Sequence, residues 1–267
     1  MSGRLAGKSV VVIGAGQTPG DTVGNGRAIS ILFAREGARI LCADRIFDRA
    51  EETAAMIRSE GGDALALSVD VTRPAECDDL PDQALKALGS LDILVNNVGI
   101  GGRGDGPAHR LTEDAFDQIV QVNLKGMWLT TKAFLPVFRG QGHGAIVNIS
   151  SLAGIAGGNQ LAYEVTKAGV NRLTTSVAQA NASKGVRCNA VAMGLMDTPM
   201  AVAGIAQASG QEQEAVRAAR NARVPLGGKM GTAWDTAYAA LFLASDEAAF
   251  ITGVVLPVDG GMSSRIG

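Results

Sequence analysis

The 267-residue sequence contains few cysteines, histidines and aromatic residues, and these shortages exclude several classes of protein. Its cysteines are widely spaced and form no C-x-x-C motif, which argues against a disulfide framework or a thiol redox centre. The two histidines stand alone and fit no metal-ligand spacing, so we expect no metal site. Sparse, reduced thiols of this kind are typical of a cytoplasmic protein. The residues concerned are Cys42, Cys77, Cys188, His109 and His143.

The sequence also lacks an excess of charge and a long apolar run. Its net charge is −2 and it has no basic run, so we expect neither a nucleic-acid partner nor binding to a membrane surface. No segment reaches the roughly 20 apolar residues that span a bilayer. The first residues lead into a strand without the apolar core of a secretory signal, which again favours the cytoplasm.

Small aliphatic residues and glycine are abundant instead. Hydrophobic residues make up 46% of the chain, and 35 glycines allow secondary-structure elements to approach one another closely. Short β-branched runs alternate with longer amphipathic stretches. Strands are predicted at residues 9–13, 39–43, 64–69, 93–95, 145–149, 187–191 and 254–257. Helices are predicted at residues 25–36, 47–60, 74–88, 112–138, 161–183 and 232–245.

This alternation predicts the fold class. Strands that are apolar along their whole length are buried on both faces, as in a parallel sheet covered by helices. We therefore expect an α/β fold, with a Rossmann-type, doubly wound parallel sheet of about seven strands in one domain spanning residues 1–267. Residues 195–225 carry no strand signal and are expected to form a substrate-binding loop or lid over the carboxyl ends of the strands. The small, uncharged character of that segment favours a neutral substrate.

A glycine-rich loop follows the first predicted strand and opens a helix. Glycine permits a tight turn there, and the N-terminus of the following helix attracts a pyrophosphate. The segment is G14-A-G-Q-T-P-G-D-T-V-G-N-G26. It supplies the predicted cofactor-binding residues Gly14, Gly16, Gln17, Gly24, Asn25 and Gly26.

The second predicted strand leads to an acidic residue, Asp44, 18 residues after Gly26. That spacing is close to the roughly 20 residues expected for an acid that binds a ribose. A carboxylate accepts hydrogen bonds from the ribose hydroxyls and repels a 2′-phosphate, so Asp44 favours NAD over NADP. Arg45 favours NADP instead, because a guanidinium can accommodate the 2′-phosphate.

Tyr163 and Lys167 are four residues apart, which places them on one face of a helix. Lowering the pKa of a tyrosine from about 10 to about 7 takes roughly 4 kcal/mol. An ammonium about 5 Å away supplies about 3 kcal/mol at an effective dielectric near 20. We therefore predict that Lys167 lowers the pKa of Tyr163 and makes it a proton-transfer group. The alternative is a tyrosine at a helix contact beside a solvated lysine.

Together these motifs resemble the classical short-chain dehydrogenase/reductase family, in the family's order and over nearly the whole chain. The resemblance implies a catalytic tetrad. Asn123 would open its helix locally and hold a water, and Ser151 would hydrogen-bond the substrate oxygen. Tyr163 would exchange its proton with the substrate, and Lys167 would hold the nicotinamide ribose and lower the phenol pKa.

The same resemblance implies further cofactor contacts. Asp70 would hold the adenine amino group, and Thr198 would donate to the nicotinamide carboxamide. The other positions that match the family's cofactor motifs are Val71, Asn97, Val98, Gly99, Gly194 and Met196.

The chain departs from the family pattern at several positions. Ile13 replaces the usual threonine, and residues 17–23 make the glycine-rich loop six residues longer than usual. Asp21 in this insertion is expected to point away from a pyrophosphate. Met193 replaces a proline, and Ser150 competes with Ser151 for the serine role.

The resemblance implies an NAD(H)-dependent oxidoreductase that interconverts a secondary alcohol and a ketone, assembled as a homotetramer or homodimer. Two alternatives remain open: an NADP-dependent ketoreductase for carrier-bound 3-oxoacyl chains, and a non-catalytic dinucleotide-binding sensor or scaffold. Enoyl reduction is disfavoured, because the tyrosine and lysine of enoyl reductases are spaced further apart.

Overall fold

The computed structural model describes residues 3–102 and 104–264 and contains a long parallel sheet. The strands are β1 Ser9–Ile13, β2 Arg39–Asp44, β3 Asp63–Ser68, β4 Ile93–Asn96, β5 Gly144–Ser151, β6 Val186–Met193, β7 Met196–Asp197, β8 Gly231–Thr232 and β9 Val255–Val258. Seven of them form the central sheet in the order β3-β2-β1-β4-β5-β6-β9. All neighbouring pairs in it are parallel. The strand order reverses between β1 and β4, which is where such sheets bind ligands.

Helices cover both faces of this sheet. The α-helices in the described residues are α1 Asn25–Arg35, α2 Phe47–Ser59, α3 Pro74–Leu88, α4 Glu113–Val120, α5 Met127–Gln141, α6 Leu161–Asn181, α7 Ala203–Ser209, α8 Gln213–Asn221 and α9 Ala233–Ala244, of which α7 and α8 pack on each other away from the sheet. The predicted doubly wound α/β fold with seven parallel strands is therefore confirmed. Within the described residues, no helix is both long and apolar enough to span a bilayer.

The two faces of β1 belong to different layers of the core. Val10 and Val12 pack with residues of α1 and α9, whereas Val11 and Ile13 pack with residues of α3 and α5. Successive side chains of a strand point to opposite faces, so a strand buried on both faces has to be apolar throughout. The strand sequences therefore show no alternation of apolar and polar residues, and the strands can be recognised as continuous apolar runs.

The predicted helix at residues 112–138 is continuous but changes its geometry in the middle. Thr112 caps α4, since its Oγ1 accepts a hydrogen bond from Ala115 N at 3.3 Å. Between α4 and α5 the chain forms a π-helix, Gln121–Gly126, and Asn123 lies inside it. The local opening of the helix expected at Asn123 is therefore present, and π-helical turns of this kind often occur at functional sites.

Residues 195–225 contain a short strand, β7, although the sequence carries no strand signal there. Two residues of β7 pair with β8 in a small parallel sheet, which is too short to leave a periodic signal in the sequence. The segment also contains α7 and α8. Its helices and the chain after them enclose a small apolar cluster of their own, formed by Val202, Ala206, Val216, Val224 and Met230.

Candidate active site

A cavity of about 310 Å³ lies at the carboxyl ends of the strands on either side of the order reversal. Most of the predicted cofactor-binding residues line it. These are Gly14, Gly16, Gln17, Gly24, Asn25, Gly26, Asp44, Arg45, Asp70, Val71, Asn97, Val98, Gly99, Tyr163, Lys167 and Thr198. The topology thus brings together residues that are far apart in sequence.

Two of the predicted cofactor residues do not line this cavity. Gly194 packs against the backbone at Asp259, since a Cβ on Gly194 would lie 2.7 Å from the Cα of Asp259. Met196 is buried in β7 with its thioether against Gly231. The sequence analysis in turn missed several lining residues, notably Thr18, Arg49, Pro199 and Met200.

The glycine-rich loop is folded tightly enough that Gly26 allows no side chain. A Cβ on Gly26 would lie 1.9 Å from the carbonyl oxygen of Gly14. That carbonyl also accepts a hydrogen bond from Asn97 Nδ2 at 2.8 Å, which ties the loop to the end of β4. Helix α1 therefore starts at the cavity wall, with Asn25 and Gly26 in its first turn.

The start of α1 fits the pyrophosphate of a dinucleotide. Its first turn has no acidic residue, and Gly24 at the cap position offers no side chain to the free N–H groups. Asn25 Oδ1 is buried and has no hydrogen-bond partner among the described residues. A helix N-terminus with free N–H groups is a general anion site, so the residues present suit the cofactor class that the sequence indicates.

The loop insertion is held in place by Gln17. Its side chain accepts a hydrogen bond from Gly24 N at 2.8 Å and donates one to the carbonyl of Thr22 at 3.3 Å. Gly20 lies against Pro199 at the start of the 195–225 segment, since a Cβ on Gly20 would be 2.8 Å from Pro199 Cβ. Asp21 is exposed and does not line the cavity, in agreement with its expected orientation.

Asp44 lines the cavity at the end of β2 and is anchored by backbone contacts. Its Oδ2 accepts a hydrogen bond from Gly16 N at 3.2 Å, and its Oδ1 accepts one from Ile46 N at 3.1 Å. The guanidinium-bearing residues Arg45 and Arg49 line the same region. The cavity lining therefore includes one fixed carboxylate and two arginines.

Asp70, on the opposite side of that region, is stabilised as a carboxylate. Burial alone would raise its pKa, but hydrogen bonds from Thr72 and the nearby charges of Arg73 and Arg45 lower it overall. Both Thr72 hydrogen bonds go to Oδ1, from the backbone N at 2.9 Å and from Oγ1 at 2.7 Å. The carboxylate thus stays ionised at the cavity wall.

Lys167 is a buried ammonium at the base of the cavity. Its Nζ donates to the carbonyl oxygen of Ile149 at 2.9 Å, at the end of β5. Gly99 leaves room for it, since a Cβ there would lie 3.2 Å from Nζ. Burial lowers the pKa of Lys167 to about 8, because a low-dielectric environment disfavours the charged form.

Tyr163 shares a helix face with Lys167 as predicted, with Nζ 5.6 Å from the centre of the phenol ring. Burial raises the pKa of Tyr163, and the neighbouring Ser151 hydroxyl and the charge of Arg220 only partly oppose this effect. The expectation that Lys167 lowers the phenol pKa is therefore not met in the cofactor-free protein. Desolvation outweighs the nearby charges there.

The two adjacent serines have different surroundings. Ser150 is fully buried, and its hydroxyl donates to Asn171 Oδ1 at 2.6 Å within the core. Ser151 Oγ accepts a hydrogen bond from Ala153 N at 3.1 Å and lies beside the Tyr163 phenol. The geometry favours Ser151 as the serine of the site.

Asn123 fixes the chain that follows β4. Its Oδ1 accepts a hydrogen bond from Ile100 N at 2.7 Å, and its Nδ2 donates to the Ile100 carbonyl at 2.8 Å. It is fully buried and does not line the cavity itself. Its role in holding a water stays a prediction.

Asp105 is a site residue that the sequence analysis missed. Helix α6 has no capping hydrogen bond from its own N-cap residue, Gln160. Asp105 takes over this function from a distant loop: Oδ1 accepts from Ala162 N at 3.0 Å and Oδ2 accepts from Tyr163 N at 3.1 Å. Nothing in the sequence signals a cap that lies more than fifty residues before its helix.

Comparisons with known proteins place this geometry in a family. A family model described as enoyl-(acyl carrier protein) reductase matches residues 21–263. The crystal structure of a short-chain dehydrogenase/reductase from Burkholderia xenovorans superposes with a TM-score of 0.93 and is 43% identical, covering 99% of this chain and 100% of that one. This chain belongs to the short-chain dehydrogenase/reductase family. It is an oxidoreductase of alcohol- or ketone-type substrates, and the family uses nicotinamide dinucleotides.

Other members of the family are named for different substrates, and the structure of one of them contains NADP. A cis-4-hydroxycyclohexanecarboxylate dehydrogenase from Sinomonas cyclohexanicum is 38% identical over 265 residues, which cover 99% of this chain and 100% of that protein. A 2-deoxy-D-gluconate 3-dehydrogenase structure from Agrobacterium tumefaciens with bound NADP has a TM-score of 0.83 and 35% identity, covering 98% of both chains.

Replacing Lys167 with methionine removes the buried ammonium at little cost in volume. We expect cofactor-free Lys167→Met to unfold with a larger free energy than the wild type at pH 7. Between pH 8 and 10.5 the folded wild type has lost a proton that its unfolded chain still binds, so wild-type stability rises with pH there. The advantage of the variant should therefore shrink by up to about 3 kcal/mol across that window.

Denaturant titrations from pH 7 to 10.5 measure this difference. Lys184→Met, which removes an exposed lysine, is the matched control and should show no comparable pH dependence. A Lys167→Met difference that stays constant with pH would contradict the burial of a charged amine.

Replacing Asp105 with alanine leaves the first N–H groups of α6 unpaired and loosens the position of Tyr163. We expect kcat for alcohol oxidation to fall by about ten- to a hundredfold with a smaller change in KM. Asp105→Asn should recover much of kcat, because an amide oxygen can still accept one of these bonds. Asp114→Ala, an exposed first-turn acid of α4, serves as control. Equal losses in the asparagine and alanine variants would contradict the capping role.

Proposed function

We propose that this protein is an NAD(H)-dependent oxidoreductase that interconverts a secondary alcohol and a ketone, with Tyr163 as the acid and base. The observation that carries the proposal is that Tyr163 and buried Lys167 line the same cavity as the glycine-rich loop. Ser151 lies beside the phenol, which completes a site for one polarised oxygen.

A bound nicotinamide dinucleotide would accept or donate the hydride, and the residues of this chain manage the proton. With its pKa raised by burial, the Tyr163 phenol is protonated at neutral pH and is suited to donate to the oxygen of a ketone. In the direction of oxidation the phenol must ionise first. The Ser151 hydroxyl and the charge of Arg220 favour its ionised form. The Lys167 cation, 5.6 Å from the centre of the ring, would act in the same direction.

Ser151 would hold the substrate oxygen in both directions. A hydroxyl that is already fixed by Ala153 N can donate to the oxygen as negative charge develops there, without reorganising in the process. Ser150 is committed to Asn171 and would hold β5 against α6. Asn123 would act through the Ile100 backbone, which it holds on both sides of the peptide.

Asp44 supports the choice of NAD over NADP. Its carboxylate is fixed by Gly16 and Ile46 at the position where a ribose hydroxyl would bind, and it would repel a 2′-phosphate. Arg45 and Arg49 favour the second candidate, an NADP-dependent ketoreductase for carrier-bound acyl chains, since both line the cavity. A non-catalytic sensor gains no support, because all four tetrad positions are retained.

The remaining features fit a cytoplasmic homo-oligomer with a substrate lid formed by residues 195–225, all within one catalytic domain. The three cysteines are free and buried, as in a reducing compartment. Phe116, Trp128 and Val165 expose apolar surface on α4, α5 and α6, and Tyr238 and Phe250 expose more near α9. Two apolar surfaces of this kind suit the two interfaces of a tetramer.

Tyr163→Phe should reduce kcat by at least about a hundredfold, because the proton-transfer group is lost. Binding of NADH, measured by fluorescence, should be preserved. The assay follows absorbance of the reduced nicotinamide with a panel of secondary alcohols and ketones. Tyr238→Phe alters the only other tyrosine and is the matched control. Full turnover in Tyr163→Phe would contradict the proposal.

Asp44→Asn removes one negative charge while keeping the shape of the side chain. We expect the ratio of kcat/KM with NADP to that with NAD to rise by about tenfold, since repulsion of the 2′-phosphate is relieved and both arginines remain. Asp48→Asn changes a nearby exposed carboxylate outside the cavity lining and should leave the ratio unaltered. An unchanged ratio in Asp44→Asn would show that Asp44 does not determine the preference for NAD over NADP.

A further inference from the structure

A partly buried cation of the 195–225 segment, Arg220, forms no ion pair with any described residue. Arg217 and Arg220 lie one turn apart on α8, and both are partly buried. Arg217 is paired, with Asp197 at 3.3 Å and Glu214 at 3.7 Å. Arg220 has no carboxylate within 4 Å in the described part of the chain, residues 3–102 and 104–264.

Arg220 is held instead by a sulfur atom. Its Nε donates to Met230 Sδ at 3.3 Å, and Met230 is buried in the small apolar cluster of the lid. A thioether is a weak acceptor and does not neutralise a guanidinium. The contact fixes the orientation of the side chain and leaves the two terminal nitrogens, Nη1 and Nη2, without an acceptor among the described residues.

The fixed guanidinium acts on the catalytic phenol. The charge of Arg220 lowers the pKa of Tyr163, and the ionised phenol in turn raises that of Arg220, so the two groups are within electrostatic range. The lid segment also begins at the cavity, where Thr198, Pro199 and Met200 line the wall. Arg220 does not itself line the cavity. It lies one turn after Arg217, whose contact with Asp197 holds α8 beside Thr198 of the cavity wall, so α8 borders the site on this side.

A partly buried cation without a partner is costly, and this cost has to be offset by function or by another contact. Burial and the charge of Arg223 lower the pKa of Arg220, and the more distant charges of Asp197 and of an ionised Tyr163 offset this only in part. Two free parallel N–H donors at the end of a fixed guanidinium match the geometry of a carboxylate. An anionic substrate group would satisfy both the charge and the unused donors.

We propose that Arg220 binds a carboxylate carried by the alcohol or ketone substrate, at a point remote from the reacting oxygen. This inference rests on the proposed function, because it places the reacting oxygen at Tyr163. It replaces the expectation of a neutral substrate, which came from the many small uncharged residues of the 195–225 segment. In this proposal Arg220 determines the charge of the preferred substrate, although most residues of the segment are small and uncharged.

The test compares ketone acids with their own neutral esters. Levulinate, para-acetylbenzoate and oxocyclohexanecarboxylate are each paired with their methyl ester, and NADH oxidation is followed for every compound. For the acid that fits best, we expect kcat/KM of the wild type to exceed that of its ester by at least about tenfold. Arg220→Gln should lose about 10- to 100-fold on that acid, mainly through KM, and less than about threefold on the ester.

Two further variants separate direct contact from general charge. Arg223→Gln removes an exposed arginine of the same segment and should keep most of the preference for the acid. Arg220→Lys keeps the charge without the paired donors and should recover only part of it.

The outcomes distinguish this inference from the proposed function. If acids and esters are reduced equally well, or if Arg220→Gln loses equally on both, the carboxylate site is refuted while the oxidoreductase function stands. An equal loss would instead assign Arg220 to the stabilisation of the Tyr163 phenolate. If no ketone of either kind is reduced, the proposed function fails and the inference fails with it.

Discussion

The site depends on a buried ammonium. Lys167 is held by the Ile149 carbonyl at the end of β5, beneath the ring of Tyr163, in a space that Gly99 leaves open. Burial acts on both groups in opposite directions: it lowers the pKa of the amine to about 8 and raises that of the phenol. Both groups are therefore biased toward their neutral forms, so each added charge in the cavity has a large effect on them. Charged and polar residues near the pair can therefore shift the pKa values of Lys167 and Tyr163.

Three separate segments converge on this pair. The loop after β4 supplies Asp105, which caps α6 at Tyr163 itself, and the π-helix supplies Asn123, which fixes the same loop. The lid supplies the cation of Arg220. The inserted part of the glycine-rich loop lies against Pro199 of the 195–225 segment, and both segments line the same cavity. The position of the Tyr163 backbone and one of the charges near its phenol are therefore set by residues outside α6.

Much of the fold could be read from local patterns. Apolar runs located the ends of the seven central strands to within two residues, because strands buried on both faces leave a strong signal. The helical spacing placed Tyr163 and Lys167 on one face, and the family motif placed the helix opening at Asn123. Long-range contacts left no such signal. Asp105 lies in a loop, β7 is two residues long, and Arg220 is one arginine among several, so tertiary structure alone reveals their roles. The direction of the phenol pKa was missed for a related reason: desolvation depends on packing that the sequence does not display.

The most direct test is the ionisation of Tyr163 in solution. The chain has only two tyrosines, so ring-carbon-labelled protein gives two NMR titrations, and Tyr163→Phe assigns them. The account predicts that Tyr163 titrates above the usual range of a tyrosine in the cofactor-free protein, and at lower pH once the positively charged oxidised cofactor is added. A Tyr163 pKa at or below the ordinary value without cofactor, or one that does not respond to it, would contradict the account.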